Sequence, residues 1–253
     1  MNLAFVLLAD ARFPSEKDVA KAFGKYAHGK ERLVPQHGGD LSSGGALQFE
    51  LSPGGAAMIA AMPAPVPNGE ADAAAAGSVS SLGTGWRLPP HKTHLAVVLA
   101  GGDGAPALEV LSAFTSLLAA VVSVSHSVGV YWGEAGATHD PKLFTGIAGE
   151  RDSGARMMLW TGLSIGAEPD GRMSLLSLGM KQLALPDLLL VARKSEGNAA
   201  MGTFFDLLGY LARLGKPLPE GDTVGRTAAE RLPVRYVPSP VDPAARVWRV
   251  ELP

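Results

Sequence analysis

The order of apolar and polar positions near the N terminus predicts a strand followed by a helix. Residues 3–9 form a short apolar run, which is typical of a buried strand. Ser15 follows and can cap the free N–H groups of a helix whose first turn is acidic. The next apolar positions recur at helical spacing, so we expect this face of the helix to cover a sheet. These positions are Val19, Ala20, Phe23 and Tyr26.

Two further segments continue this pattern of strands and helices. Residues 47–51 alternate between apolar and polar, residues 56–62 are apolar, and the Pro and Gly residues between them indicate a hairpin. A second unit then repeats the opening arrangement, with a strand, a helix and a strand at His94–Leu99, Ala107–Val124 and Val128–Trp132. This helix is apolar nearly all round, which indicates burial on more than one side.

Strand patterns dominate the C-terminal part of the chain. An antiparallel meander is expected, because turn residues separate three apolar segments at Met158–Trp160, Met173–Leu183 and Leu188–Ala192. A helix follows, with Asn198 as its cap and Gly215 at its end. The remaining predicted elements are a helix capped by Asp140 and strands near 232–237 and 247–252.

This order of elements favours the α+β class, with mixed or antiparallel sheets covered by a few helices. Residues 78–85 are rich in Gly and Ser and indicate a linker. We therefore divide the chain into an N-terminal strand-helix-hairpin region, 1–85, and a C-terminal α+β domain, 86–253. The repeated unit also allows two similar α+β halves packed together.

Composition narrows the function classes. The chain has 253 residues, of which 47% are hydrophobic, and a formal net charge of -2, so it can bury a core of useful size. Its Lys and Arg residues do not cluster, and we expect no nucleic-acid partner because phosphate binding needs such clusters. The absence of Cys excludes disulfides, thiolate catalysis and thiolate zinc sites.

The apolar segments do not predict a membrane protein. Residues 107–124 are interrupted by Glu109 and by several Ser and Thr residues, whereas a membrane span needs about 20 mainly apolar residues. The first apolar run lacks a basic flank and is shorter than a signal-peptide core. We therefore expect no membrane association and a cytoplasmic location.

Two short motifs resemble known sites, but their surroundings argue against both. Residues 102–107 match the G-x-G-x-x-A form of the dinucleotide fingerprint. However, Asp103 would place a negative charge beside the pyrophosphate, and Pro106 removes an N–H donor. Residues 162–166 match the G-x-S-x-G nucleophile elbow, yet a turn follows and the last histidine, His139, precedes the serine. We expect neither nucleotide binding nor an α/β-hydrolase.

Histidines offer the remaining candidate for a metal site. Three or four imidazole or carboxylate ligands could hold a divalent ion. Two prolines keep His91 off a helix, and in a strand the His91 and His94 rings would point to opposite sides. We therefore favour a loop residue and a hydrogen-bonded residue at a strand end, and expect no metal. The histidines that the metal alternative would use are His91, His94, His126 and His139, with Glu134 and Asp140 downstream.

Large aromatic side chains lie close to the ends of predicted strands. Their broad apolar faces favour packing in the core or at its rim, and a binding surface is the alternative. Together with the histidines they give the candidate binding residues. These are His91, His94, Tyr131, Trp132, Glu134 and Trp160.

The order of five short motifs resembles an uncharacterised bacterial family known as domain of unknown function 4261. The motifs are His91–Leu95, Gly129–Trp132, Trp160–Leu163, Gly179–Met180 and Gly221–Gly225. The likeness runs from about Met62 to the C terminus. Residues 181–185 stand where the family pattern would have an acidic strand, so a partner contact made by such a strand would be missing here. The resemblance implies no catalytic residues and no cofactor.

These observations leave two main hypotheses. The first is a cytoplasmic, non-enzymatic protein that binds a protein partner, as an immunity or accessory factor. The alternative is a metal-dependent enzyme built on the four histidines named above. We expect no cofactor on the first hypothesis, and the sequence leaves the oligomeric state open.

Overall fold

The fold combines helices with mostly antiparallel sheets, as the sequence predicts. A computed structural model describes residues 1–37, 39–82, 84–101, 104–150, 152–227 and 229–253, apart from the side chains of His37 and Ser153. These residues form six α-helices and three sheets of seven, five and two strands. Among the described residues, no helix combines the length and apolar character needed to cross a membrane.

The first sheet has seven strands in the order β2-β3-β4-β5-β1-β6-β7, and each neighbouring pair is antiparallel. Its central strands are the predicted N-terminal strand, the hairpin and the strand at residues 94–99. The two edge strands, β2 and β7, were not predicted. The bounds are β1 Asn2–Leu8, β2 Arg32–His37, β3 Ala46–Ser52, β4 Gly55–Met62, β5 Thr93–Ala100, β6 Ser127–Trp132 and β7 Ala137–His139.

The described residues form six helices. The first, third, fourth and sixth occur where helices were predicted, and the third is the long apolar helix expected from the sequence. Their bounds are α1 Glu16–Tyr26, α2 Glu70–Ala75, α3 Ala107–Ser123, α4 Pro141–Gly149, α5 Ser153–Trp160 and α6 Gly197–Leu214.

The second sheet contains the C-terminal strands. Its order is β13-β14-β10-β9-β8, and only the β10–β14 pair is parallel. A two-stranded sheet, β11–β12, lies between the helix and the last strands in sequence. The bounds are β8 Gly162–Ala167, β9 Met173–Leu178, β10 Leu188–Ala192, β11 Thr223–Val224, β12 Leu232–Pro233, β13 Arg235–Pro238 and β14 Arg246–Glu251.

The predicted helix ends depend on local capping contacts. Ser15 accepts a hydrogen bond from the Asp18 N–H at 3.2 Å, and Asp140 accepts one from the Lys142 N–H at 3.0 Å. Gly215 ends α6 in a left-handed conformation with φ of 66°, which glycine adopts without steric cost. Helix α6 begins at Gly197, so Asn198 lies inside the helix and the prediction that it caps the helix is wrong.

Two predictions in the meander are wrong. Residues 158–160 form the end of α5, whose N terminus is capped by Asp152 through the Gly154 N–H. A short apolar run fits a buried helix as well as a strand. The strand predicted at Met173–Leu183 ends at Leu178, because Gly179 adopts a φ of 110° and a 3₁₀ helix occupies Met180–Leu183.

Of the two short motifs that resemble known sites, the structure describes the first only in part and the second in full. Gly102 and Asp103 of the first motif lie outside the described residues. The second motif, residues 162–166, lies in strand β8 and pairs with β9 across its whole length. This extended backbone is not the strand-to-helix elbow that a nucleophilic serine requires.

Backbone hydrogen bonds cross the predicted domain boundary at residue 85. Strand β5 follows this boundary and lies between β4 and β1, which precede it. The seven-stranded sheet therefore takes strands from both predicted regions, and the five-stranded sheet takes all its strands from the second.

We predict that Gly162→Ala destabilises the protein by about 2 kcal/mol or more. A Cβ atom at position 162 would lie 2.0 Å from the backbone oxygen of Ala135, so the two chain segments would have to separate. Urea denaturation measures the change. Gly146→Ala is the matched control, since no atom lies within 4 Å of a Cβ at this helical position and alanine favours helices. Equal stabilities for the two variants would contradict the prediction.

Candidate functional site

The structure does not gather all six candidate residues at one site. Successive side chains of a strand point to opposite faces, so Tyr131 and Trp132 of β6 lie on different sides of the sheet. Tyr131 is half-buried on the face away from α3, with His91 and His94, whereas Trp132 is fully buried against Phe114 of α3.

The two neighbouring histidines bind the backbone of one loop. His94 Nδ1 donates to the Ala64 carbonyl at 2.8 Å, and His91 Nε2 accepts from the Val66 N–H at 3.1 Å. The Thr93 hydroxyl also donates to the Met62 carbonyl. These contacts hold residues 62–66 against the start of β5. His91 therefore lies in a loop and His94 is hydrogen-bonded at a strand end, as predicted.

These contacts also define the protonation of each ring. A carbonyl can only accept, so His94 carries a proton on Nδ1, and a backbone N–H can only donate, so His91 has a free electron pair on Nε2. Burial lowers the pKa of His94, and the nearby His91 adds to this effect. The His94 ring meets the Phe5 ring edge-on at 4.9 Å.

Tyr131 extends this aromatic group to the next strand. Its ring lies 5.9 Å from that of Phe5, which is its direct partner across β1 and β6. Burial raises the pKa of Tyr131, and the charge of Glu70 raises it further. Tyr131, Phe5 and His94 thus form one apolar and weakly polar cluster at an end of the outer face.

The two candidate tryptophans join the two large sheets. Trp132 Nε1 donates to Gln182 Oε1 at 2.7 Å, and Gln182 Nε2 donates to the Trp160 carbonyl at 3.2 Å. Trp160 Nε1 donates to the Thr115 hydroxyl in α3 at 2.7 Å. Both rings are at most 1% exposed, so they pack the core and present no surface to a ligand.

Glu134 lies on the surface beside this junction. Its carboxylate is 2.9 Å from the Lys181 ammonium, and this contact raises the pKa of Lys181. Exposed ion pairs of this kind contribute about 0–1 kcal/mol to stability. The Lys181–Gln182 segment therefore contacts both Glu134 and Trp132.

The four histidines of the metal alternative do not converge. His126 is exposed and lies 3.4 Å from Asp10, whereas His139 is fully buried with its Nε2 atom 3.1 Å from the Leu159 carbonyl. Burial lowers the pKa of His139 to about 4. Within the described part of the chain, no three His, Asp or Glu side chains gather in a way that could hold a metal ion.

A trough that was not predicted lies on the outer face of the seven-stranded sheet, and no element of the described residues covers it. Its floor is a row of cross-strand partners, Ala96 in β5, Ala60 in β4 and Ala46 in β3. Larger side chains flank this row on both sides, and Phe5 of β1 closes one end. The flanking pairs are Val98 with Met58 and His94 with Met62.

The sequence holds a signal for this trough. Residues 56–62 are apolar at every position, whereas a strand with one buried face needs only every second position to be apolar. Met58 and Met62 remain 41% and 42% exposed. These outward apolar side chains therefore stay exposed to solvent in the described part of the chain.

A buried ion pair between Arg156 and Glu31 was also not predicted. Arg156 and Glu31 are 1% and 5% exposed, and their closest charged atoms are 3.9 Å apart. Sequence alone gives no signal for this pair, because its members are distant along the chain, with Glu31 just before β2 and Arg156 in α5. A cavity adjoins Glu31.

The fold and these contacts define an α+β protein whose two main sheets are joined through buried tryptophans. Residues 176–251 match the model of a family described as Domain of unknown function (DUF4261), which confirms the resemblance over this part of the chain. A search of curated proteins and a search of solved structures each found no significant match. The matched range includes Gly179–Met180 and Gly221–Gly225, and all six candidate residues lie before it.

We predict that His139 makes the protein less stable in mild acid. Its folded-state pKa of about 4 lies below the ordinary value of about 6.5 in an unfolded chain, so the unfolded chain binds the proton first. The resulting stability is complete above pH 6.5 and falls as the pH drops towards 4. His139→Gln keeps a donor for the Leu159 carbonyl and should lose about 2 kcal/mol less than the unmodified protein between pH 7 and pH 5.

Urea denaturation at the two pH values measures this difference. The control is His126→Gln, which changes an exposed histidine and should follow the unmodified protein. Parallel pH dependences for the His139 variant and the unmodified protein would show that His139 does not carry the effect.

Proposed function

We propose that the protein is a non-enzymatic binding module that holds an apolar helix of a protein partner in the trough. The supporting observation is the row of alanines that no described element covers, flanked by the exposed side chains of Met58 and Met62. Contiguous exposed apolar surface is uncommon on proteins that act alone and is typical of interaction sites. An immunity or accessory role in the cytoplasm is part of this proposal.

The dimensions of the trough favour a helix as its occupant. Its two walls come from residues four positions apart on β5, His94 and Val98. At a rise of about 3.4 Å per residue the Cα atoms that carry the walls lie about 14 Å apart. A helix with its side chains is about 10–12 Å wide, so this spacing admits one helix and not two side by side.

The two faces of the same sheet support this inference. Helices α1 and α3 already cover the inner face, and their side chains share one core with inward residues such as Val97 and Ile59. Ala60 and Ala96 point outward from the same strands and are half-buried without belonging to this core. No floor or wall side chain is a carboxylate, lysine or arginine, so the partner should present an apolar stripe.

The candidate histidines contribute rigidity to this surface. His91 and His94 fix residues 62–66, so they hold Met62, a wall residue, at one end of that segment. A rigid wall lowers the entropy lost on binding. We assign the His91, His94 and Tyr131 cluster this positioning role.

Photo-crosslinking in the organism that encodes the chain tests the occupant. Photoreactive methionine replaces methionine throughout the protein, and a Met58→Leu/Met62→Leu variant removes the reactive groups from the walls while keeping them apolar. We expect a crosslink to an amphipathic helix of one other protein that is lost in the variant. A crosslink to a second copy of the chain, to lipid, or to no molecule would overturn the proposal.

We predict that Ala60→Arg weakens binding of the crosslinked partner at least tenfold, because the new side chain fills the floor of the trough with a charge. Ala56→Arg is the matched control, since Ala56 is the same residue type on the same face of β4 but lies beyond the Met58 wall. Titration of the purified partner measures both affinities. Equal loss, or no loss, in the two variants would contradict the assigned position.

A further inference from the structure

A cavity lies on the helix side of the seven-stranded sheet, away from the trough. It has a volume of about 370 Å³, which is within the usual range of about 300–1,000 Å³ for small-molecule sites. It opens between the segment after α1 and the N-terminal half of α3. The lining residues that bear on its chemistry are Lys30, Glu31, Pro53, Leu108, Glu109 and Ser112.

A fixed polar network forms the inner wall of this cavity. Glu31 accepts hydrogen bonds from the Ser112 hydroxyl at 2.7 Å and from the His28 N–H at 2.9 Å. Arg156 donates to the Ser112 hydroxyl at 2.6 Å and to the Ala148 carbonyl at 2.6 Å. The Glu31 carboxylate is therefore held in one orientation before any ligand arrives.

This network is costly as a purely structural feature. Burying two charges requires removal of their water, and apolar residues of similar size often stabilise a protein as well or better. Each carboxylate oxygen has two acceptor sites, and the named contacts use one on each oxygen of Glu31. Because Glu31 lines the cavity, its remaining acceptor sites can receive hydrogen bonds from a ligand there.

The charges around the cavity select a class of ligand. Glu31 and Glu109 supply two carboxylates, whereas exposed Lys30 supplies one ammonium. Arg156 lies behind Glu31 and donates to Ser112 and Ala148. Leu108 and Pro53 add apolar surface to the same cavity.

The geometry points to a binding site for a small zwitterion, an α-amino acid with an aliphatic side chain. Its ammonium group would lie against Glu31 and Glu109, its carboxylate against Lys30, and its side chain against Leu108 and Pro53. This site shares no residue with the trough and does not depend on the function proposed above.

L-leucine and two analogues test this proposal on the full chain. Leucinamide keeps the ammonium group but lacks the carboxylate, and 4-methylpentanoate keeps the carboxylate but lacks the ammonium group. We expect L-leucine to raise the melting temperature by mass action, with a Kd below about 1 mM by calorimetry. Each analogue should bind at least tenfold more weakly. Equal binding of leucine and either analogue would overturn the proposal.

Substitutions of exposed lining residues, called the rim variants, test the position of the site and leave the buried Glu31–Arg156 pair in place. Glu109→Gln and Lys30→Gln change exposed side chains, and each should weaken leucine binding about tenfold. Glu150→Gln and Lys25→Gln are matched controls, since both residues are exposed and absent from the lining, and they should bind as the unmodified protein does. Unchanged affinity in both rim variants, or no binding of any standard aliphatic amino acid, would overturn the assignment.

Discussion

Burial of helix α3 on every side is the constraint on which the rest of the structure depends. Twelve of its 17 residues are buried, so the helix needs apolar partners in all directions. Three of its hydroxyl side chains are bonded to neighbouring elements. Ser116 donates to the Tyr26 carbonyl of α1, Thr115 accepts from Trp160 of α5, and Ser112 contacts both Glu31 and Arg156. Each of these hydroxyls therefore fixes the position of at least one neighbouring segment.

The attachment of the second sheet follows from this arrangement. Trp160 reaches α3 through Thr115, and Gln182 binds both the Trp160 carbonyl and the Trp132 ring. Glycine is required where the backbones meet, since a Cβ at Gly162 or Gly179 would lie within 3.0 Å of residues 134–135. The family match begins at residue 176. The first segment of the matched region contains Gly179 and Gln182, which contact the seven-stranded sheet and the segment that follows it.

Local signals predicted local structure, and distant contacts could not be predicted in the same way. Ser15, Asp140 and the Pro-Gly turn at 53–55 act on their own neighbours, so their helices and hairpin were placed correctly. Residues 158–160 are apolar whether they form a strand or a helix, and the helix that they form is capped by Asp152 and buries Trp160 beside Thr115. Trp132 and Trp160 were named as candidate binding residues, with packing as the favoured role of the large aromatics, and both are buried. No residue pattern shows that Gln182 would join them.

The proposed sites can be tested separately because they occupy opposite sides of one sheet. The β3–β4 hairpin serves both, with Pro53 of its turn at the cavity and Ala60 of β4 in the trough. An arginine at position 60 points away from the helix layer, while changes at Lys30 or Glu109 alter exposed side chains within it. Effects at sites without shared partners are usually additive. Loss of leucine binding in Ala60→Arg would therefore indicate a disturbed sheet and not a blocked trough, which distinguishes misfolding from loss of the partner contact.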